Sequence, residues 1–257
     1  MPTDEGPPVI VLVGGVGELY QGDLDLGRVA VGRLAGEDLG CHALVEDLHY
    51  GAVAVSQRLE DLRPPHLVLV GGVVRGRPPG TVERRRVRPE PMTPADFQGA
   101  IGDAVTGYVS IDLVVDVAAG FGVLPARTVT VEVEPAVTGM SEHLSPLGEQ
   151  ALEQALELVR AEVRLAPLLE LADRLSHRWQ DDPERFAGAP AFSTLGQLLA
   201  AIAGLADNGR WGAVFSLRDR LRRQIDEGGT AEGMDTLDWA LLWGLLEELD
   251  RLLALQA

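Results

Sequence analysis

The fold reading turns on Val9-Ile-Val-Leu-Val-Gly-Gly-Val-Gly-Glu-Leu-Tyr-Gln-Gly-Asp-Leu-Asp-Leu-Gly27. Val9 to Val13 is an unbroken aliphatic run stopped by Gly14 and Gly15, the pattern of a strand buried on both faces. Such a strand belongs in a parallel sheet covered by helices on both sides. After the loop, Leu26, Val29, Ala30, Arg33 and Leu34 recur at helical spacing, and Gly40 is a plausible stop after Leu39. A loop leaving the carboxyl end of a strand is where open α/β sheets bind ligands.

Outward from this stretch the alternation repeats. Strands are expected at Ala43–Val45, Leu67–Val70 and Thr128–Val133, with an edge strand over Thr81–Val87. Helices are expected over Ala52–Leu62, over Ala100–Gly120 with an interruption at Gly107, and over Ser145–Val163, where Ser145 can cap and Pro146 suits the first helical position. The fold class is α/β, a three-layer α/β/α sandwich with a mostly parallel central sheet. Near Pro167 the character changes, and no strand signal follows. Leu168–Trp179, Ser193–Ala206, Trp211–Asp226 and Thr236–Leu255 read as helices separated by Asp, Gly and Pro clusters. The expected organisation is an α/β/α domain at 1–165 and an all-helical module at 166–257. All four Trp lie in that module; Trp239 and Trp243, four apart on one helical face, offer either core or a docking surface.

Composition narrows the chemistry. The 257 residues carry 39 acids and 22 cations, a formal net charge of −17, and every cation is Arg. That excludes Schiff-base lysine, P-loop lysine and Ser-Lys chemistry, and it disfavours nucleic acid or an anionic membrane as partner. The single cysteine, Cys41, precludes an internal disulfide and is expected as a buried structural thiol. The acidic, proline-rich start lacks a secretory signal pattern and no apolar run is long enough to span a bilayer, so a cytoplasmic location is expected.

The acids concentrate in two loops. The first holds Glu18, Asp23 and Asp25; the second, after the second strand, holds Glu46, Asp47 and His49. If the two strands are neighbours, Asp23, Asp25, Glu46 and His49 border one pocket, and carboxylates with an imidazole suit a transition metal. Helix capping by Asp23, Asp25 or Asp47 is the structural alternative. Gly15 and Gly17 fit a phosphate turn only weakly, since the third glycine is absent and the acids repel phosphate. Arg75, Arg77, Arg84, Arg85, Arg86 and Arg88 form a basic run, readable as a charged edge strand or as a docking surface for a carboxylate-rich partner. Asp112 is placed toward the sheet edge.

In this order the motifs resemble the [NiFe]-hydrogenase maturation endopeptidases. The glycine- and acid-rich loop corresponds to Gly15–Gly27, and the family's second-strand end to Glu46-Asp-Leu-His-Tyr-Gly51. A P-G-T turn stands at Pro79-Gly80-Thr81, and later landmarks at Val133-Glu134-Pro135 and Leu144-Ser145-Pro146. The resemblance spans residues 9–165 and leaves out the helical module. It implies a cytoplasmic protein that recognises nickel in a [NiFe]-hydrogenase large-subunit precursor and removes the C-terminal extension. It also implies metal recognition by a first-loop acid, a third-strand acid and a histidine. Here those positions fall on Leu24 (flanked by Asp23 and Asp25), on Gly71, and near Gly107 or Tyr108. Two readings follow. In one, a rebuilt site uses Asp23, Asp25 and Glu46 as catalytic groups, and these with His49 as ligands for nickel contributed by the precursor. In the other, an inactive relative acts as a hydrogenase assembly scaffold or chaperone, docking through Arg75–Arg88 and Trp239/Trp243. A nucleotide site at Gly15-Val-Gly17 with Glu46 on a ribose is a weaker third.

Overall fold

The aliphatic run becomes β1 (Val11–Gly15), a fully buried interior strand of a five-stranded sheet. The others are β2 (Ala43–Asp47), β3 (His66–Gly72), β4 (Val82–Arg86) and β5 (Arg127–Val133), in the order β2-β1-β3-β5-β4. All neighbours are parallel except β4, which lies antiparallel to β5 at the edge. The computed structural model describes residues 9–88, 91–105, 107, 109–181, 190–208, 210–227 and 234–255. Contacts divide the chain between Arg164 and Leu165 into two compact units.

In the first unit the helices are α1 (Leu26–Leu34), α2 (Ala52–Leu62), α3 (Pro94–Val105), α4 (Ile111–Gly120) and the start of α5 (Pro146–Asp181). The single helical stretch expected over Ala100–Gly120 is two helices, with Gly107 at a positive φ of 84° in the connection. Strand alternation sorts the layers. Leu12, Leu67 and Leu69 pack on one face with Val55 and Leu59 of α2 and Val114 and Val117 of α4. Gly15 faces the other way, against Val31 of α1. Arg33 of α1 is ion-paired with Glu149 and Glu153 of α5 on that side. β5 is buried on both faces rather than one. Its polar face, Thr130 and Glu132, is covered by arginines, so the period-two pattern does not mark a solvated side.

The second unit takes the rest of α5 with α6 (Pro190–Asn208), α7 (Trp211–Asp226) and α8 (Thr236–Ala254). Its core is leucine-rich, including Leu168, Leu198, Leu221, Leu242 and Leu245. Asp235 caps α8 in a reciprocal box with Asp238, and Arg178 pairs with both. Trp179, Trp211 and Trp239 pack on the core, while Trp243 stacks on Trp239 and stays 41% exposed.

Two expectations are corrected. Helix α5 does not end near Val163; it runs through Pro167. Proline lacks the N–H that would bond the Val163 carbonyl four residues back, and His42 Nε2 lies 3.2 Å from that oxygen. An imidazole from outside the helix thus fills the gap that proline leaves. Cys41 is exposed rather than buried, because it precedes β2 in a turn.

Candidate functional site

A cavity of about 180 Å³ opens at the carboxyl ends of β1 and β3. Its walls come from the exit of β1 (Val16, Gly17, Glu18), Leu24 of a 3-10 turn, the exit of β3 (Gly72, Val73, Val74) and the entry to α4 (Val109–Asp112). Ser110 fixes that entry by accepting a hydrogen bond from Leu113 N–H at 3.1 Å, an N-cap. The first loop folds tightly over the strand ends. A Cβ on Gly71 would stand 2.3 Å from the Val16 carbonyl, and one on Gly17 would stand 2.6 Å from that of Leu24. These glycines let backbone meet backbone.

The four expected site residues are not brought together. Asp23 is fully buried and turned away from the cavity. It accepts hydrogen bonds from the N–H groups of Ala136 (2.8 Å), Val137 (3.0 Å) and Ser145 (2.7 Å) and from the Ser145 hydroxyl (2.8 Å). It clasps the β5–α5 loop to the first loop. Asp25 accepts from Arg28 Nε at 2.9 Å. Glu46 is paired with Arg58 of α2. His49 Nδ1 lies 2.8 Å from Asp47. The residue that reaches the cavity between the two first-loop acids is Leu24. Among the described residues no three His, Cys, Asp or Glu side chains are grouped to hold a metal ion. Each member of the expected metal set, Asp23, Asp25, Glu46 and His49, has its own partner in the fold. Of the third position, Gly107 carries no side chain and Tyr108 lies outside the described residues.

The basic run is likewise committed internally. Glu132, fully buried on β5, receives Arg75 (2.9 Å), Arg77 (3.1 Å) and Arg85 (3.7 Å). Burial alone would raise its carboxyl pKa, but these guanidiniums hold it below the usual range. Arg75 also grips Asp112 through two 2.7 Å bonds, and Arg84 pairs with Glu162 of α5. Glu134 accepts from the N–H groups of Arg75 (2.8 Å) and Gly76 (3.1 Å). Thus the β3–β4 loop is fixed by Glu132 of β5 and by Glu134 just after that strand. The sequence signal that reveals Glu132 and Glu134 is an acid within the alternating run Thr128–Val133 and another just after it, followed by Pro135. Glu18, a first-loop acid in the sequence, is the wall carboxylate with no cation partner among the described residues.

No described helix is long and apolar enough to cross a membrane. No family model matches the chain, and no curated protein matches it. Among solved structures it is similar to a hydrogenase 2 maturation peptidase from a Thaumarchaeota archaeon, at 24% identity and a TM-score of 0.43, over 60% of this chain and 97% of that one. It is similar to the hydrogenase maturating endopeptidase HybD from E. coli, at 26% identity and a TM-score of 0.45, over 60% and 91%. It is also similar to the [NiFe] hydrogenase maturation protease HybD from Thermococcus kodakarensis, at 14% identity and a TM-score of 0.42, over 60% and 98%.

Proposed function

We propose that this chain is a non-cleaving relative of the hydrogenase maturation peptidases that binds a [NiFe]-hydrogenase large subunit or its precursor during assembly. One observation carries the proposal. Where the sequence resemblance implies two metal-recognising acids stand Leu24, an apolar residue that lines the cavity, and Gly71, where the Val16 carbonyl crowds any added side chain. The flanking acids do not substitute, since Asp23 and Asp25 are held by the β5–α5 loop and by Arg28. In this reading nickel belongs to the large subunit, and this chain adds no ligand set to it. The retained role is binding at the loops of the sheet's carboxyl end.

A second reading keeps peptidase activity on Glu18, the cavity carboxylate without a cation partner among the described residues. A positioned carboxylate can activate water. One experiment separates the two. Nickel-loaded large-subunit precursor is incubated with the purified chain, the C-terminal extension is followed by mass spectrometry, and complex formation is followed by size-exclusion chromatography. The expected result is a complex with the extension intact. Time-dependent loss of the extension, abolished by Glu18→Gln, overturns the non-cleaving role.

A further inference from the structure

We infer that a second cavity, walled by the edge strand β4 and one face of α4, binds a small zwitterion with an apolar body: an apolar amino acid or short peptide with both ends free. The cavity is separate from the one at the carboxyl ends of β1 and β3, and only Asp112 lines both. Its occupancy does not depend on the binding role proposed above.

The cavity measures about 620 Å³, within the roughly 300–1,000 Å³ that small-molecule sites occupy. Three segments of the first unit wall it: the end of β4 and the residues just after it, the approach to α3, and α4. On α4, Asp112, Val115, Asp116 and Ala119 recur at helical spacing and share one face. Val87, Met92, Val115 and Ala119 make part of the wall apolar.

Among the described residues six charged ones line the cavity, and four of them are committed elsewhere. Asp112 is gripped by Arg75. Asp96 accepts from the Thr93 hydroxyl at 2.6 Å at the start of α3. Arg86 donates to the Ala126 carbonyl at 3.0 Å, and Arg88 is engaged as well. Arg85 and Asp116 remain. The ion pair of Arg85 is with Glu132, 3.7 Å from its Nε and past hydrogen-bond length, so its guanidinium donors are unspent among the described residues. Asp116 is exposed and has neither hydrogen bond nor ion pair among the described residues.

These two opposite charges line one cavity from different elements, and no ion pair joins them. Partial burial and, second, the charge of Asp112 raise the Asp116 carboxyl pKa, the mark of an anion without compensation. A ligand ammonium supplies that compensation, and a ligand carboxylate takes up the donors of Arg85. An anion alone leaves Asp116 uncompensated and is repelled by it; a cation alone meets Arg85. A zwitterion satisfies both charges, and an apolar body covers the apolar wall.

The test titrates the full-length chain with L-leucine and with the dipeptide Leu-Leu, up to about 10 mM, with binding read by ligand-observed NMR. The tighter of the two tells amino acid from peptide. Its N-acetyl and C-amide forms then remove one charge each. The zwitterion is expected to bind, and each blocked form to bind about tenfold more weakly, the loss of one charge-assisted contact. Arg85→Gln is expected to lose about tenfold for the zwitterion and nothing for the amide. Asp116→Asn is expected to lose about tenfold for the zwitterion and nothing for the N-acetyl form. Both side chains are exposed, and this matching of variant to ligand end is not mimicked by a general loss of stability. No binding of either zwitterion overturns the site, as does a blocked form that binds as tightly as the free one. A folded variant that keeps wild-type selectivity, or that loses its matched blocked ligand too, also overturns it.

Discussion

Two fully buried carboxylates, Asp23 and Glu132, stand at the carboxyl end of the same sheet, and each is satisfied differently. Asp23 accepts from three backbone N–H groups and a hydroxyl, and among the described residues it has no ion pair. Glu132 is surrounded by the guanidiniums of Arg75, Arg77 and Arg85, plus the Thr130 hydroxyl. The first arrangement fixes geometry: it positions the β5–α5 loop against the first loop. The second fixes charge: one buried anion gathers three cations and so orders the β3–β4 loop. Acids concentrated at a ligand-binding end of a sheet thus need not do chemistry. Here they build the loops, and the cavity between them is left to Leu24, Val73, Val109 and Glu18.

The largest expected effect comes from breaking the charged arrangement. Glu132→Ala leaves the three arginines around an empty, desolvated position, and removing one partner of a buried pair costs about 3–5 kcal/mol. Arg75 keeps Asp112 and Arg77 keeps Glu83, which puts the expectation near the low end, about 3 kcal/mol by urea denaturation. The same group gives a pH signature. Its carboxyl is held below the ordinary value of 4.5, so it stabilises the fold fully above that value. The stabilisation is lost as pH falls through the lowered folded-state value. Glu132→Gln should flatten the decline in urea midpoint between about pH 5 and about pH 3. A decline as steep as in the wild-type chain would place the acid sensitivity elsewhere.

The backbone-satisfied acid should cost less when altered conservatively. Asp23→Asn keeps the shape but turns an NH₂ toward N–H donors, so at least one is left unpaired, a loss of about 2 kcal/mol. Because Ala136 and Val137 sit on an exposed loop, water repairs part of the damage. The effect should appear as faster amide exchange over residues 136–145 before global unfolding. Uniform exchange in that loop would mean Asp23 is not what orders it.

How much of this was legible follows from what sequence encodes locally. Val9–Val13 announced a buried parallel strand, and Ala52–Leu62 was delimited correctly, because hydrophobic period and helix stops are local signals. The edge position of β4 was readable from its arginines. The engagement of Asp23 was not, since its partners lie more than a hundred residues away, at Ala136, Val137 and Ser145. A residue that caps nothing locally looks the same in sequence as one that binds a metal. The basic run misled for the same reason: Glu132 lies in a different strand, and only the antiparallel pairing of β4 with β5 brings Arg85 opposite Thr130 and close to it. At Pro167, where the character of the sequence changes, the helix runs on without a break, and contacts divide the chain between Arg164 and Leu165.

The smallest expected effect concerns how that helix survives its proline. With no N–H at Pro167, the Val163 carbonyl has lost its ordinary partner, and His42 Nε2 stands 3.2 Å away to donate instead. His42→Ala should cost about 1 kcal/mol, the net worth of a neutral hydrogen bond to a partly buried acceptor. Lost ring packing would give a similar figure, so the single variant does not discriminate. Pro167→Ala does, because it restores the N–H that Val163 needs. If His42 acts as a substitute donor, His42→Ala should cost clearly less in the Pro167→Ala background, a coupling of about 0.5 kcal/mol or more. Additive costs would reduce His42 to a packing residue. Strong coupling would show that a turn residue before β2 makes an interior proline compatible with one continuous α5.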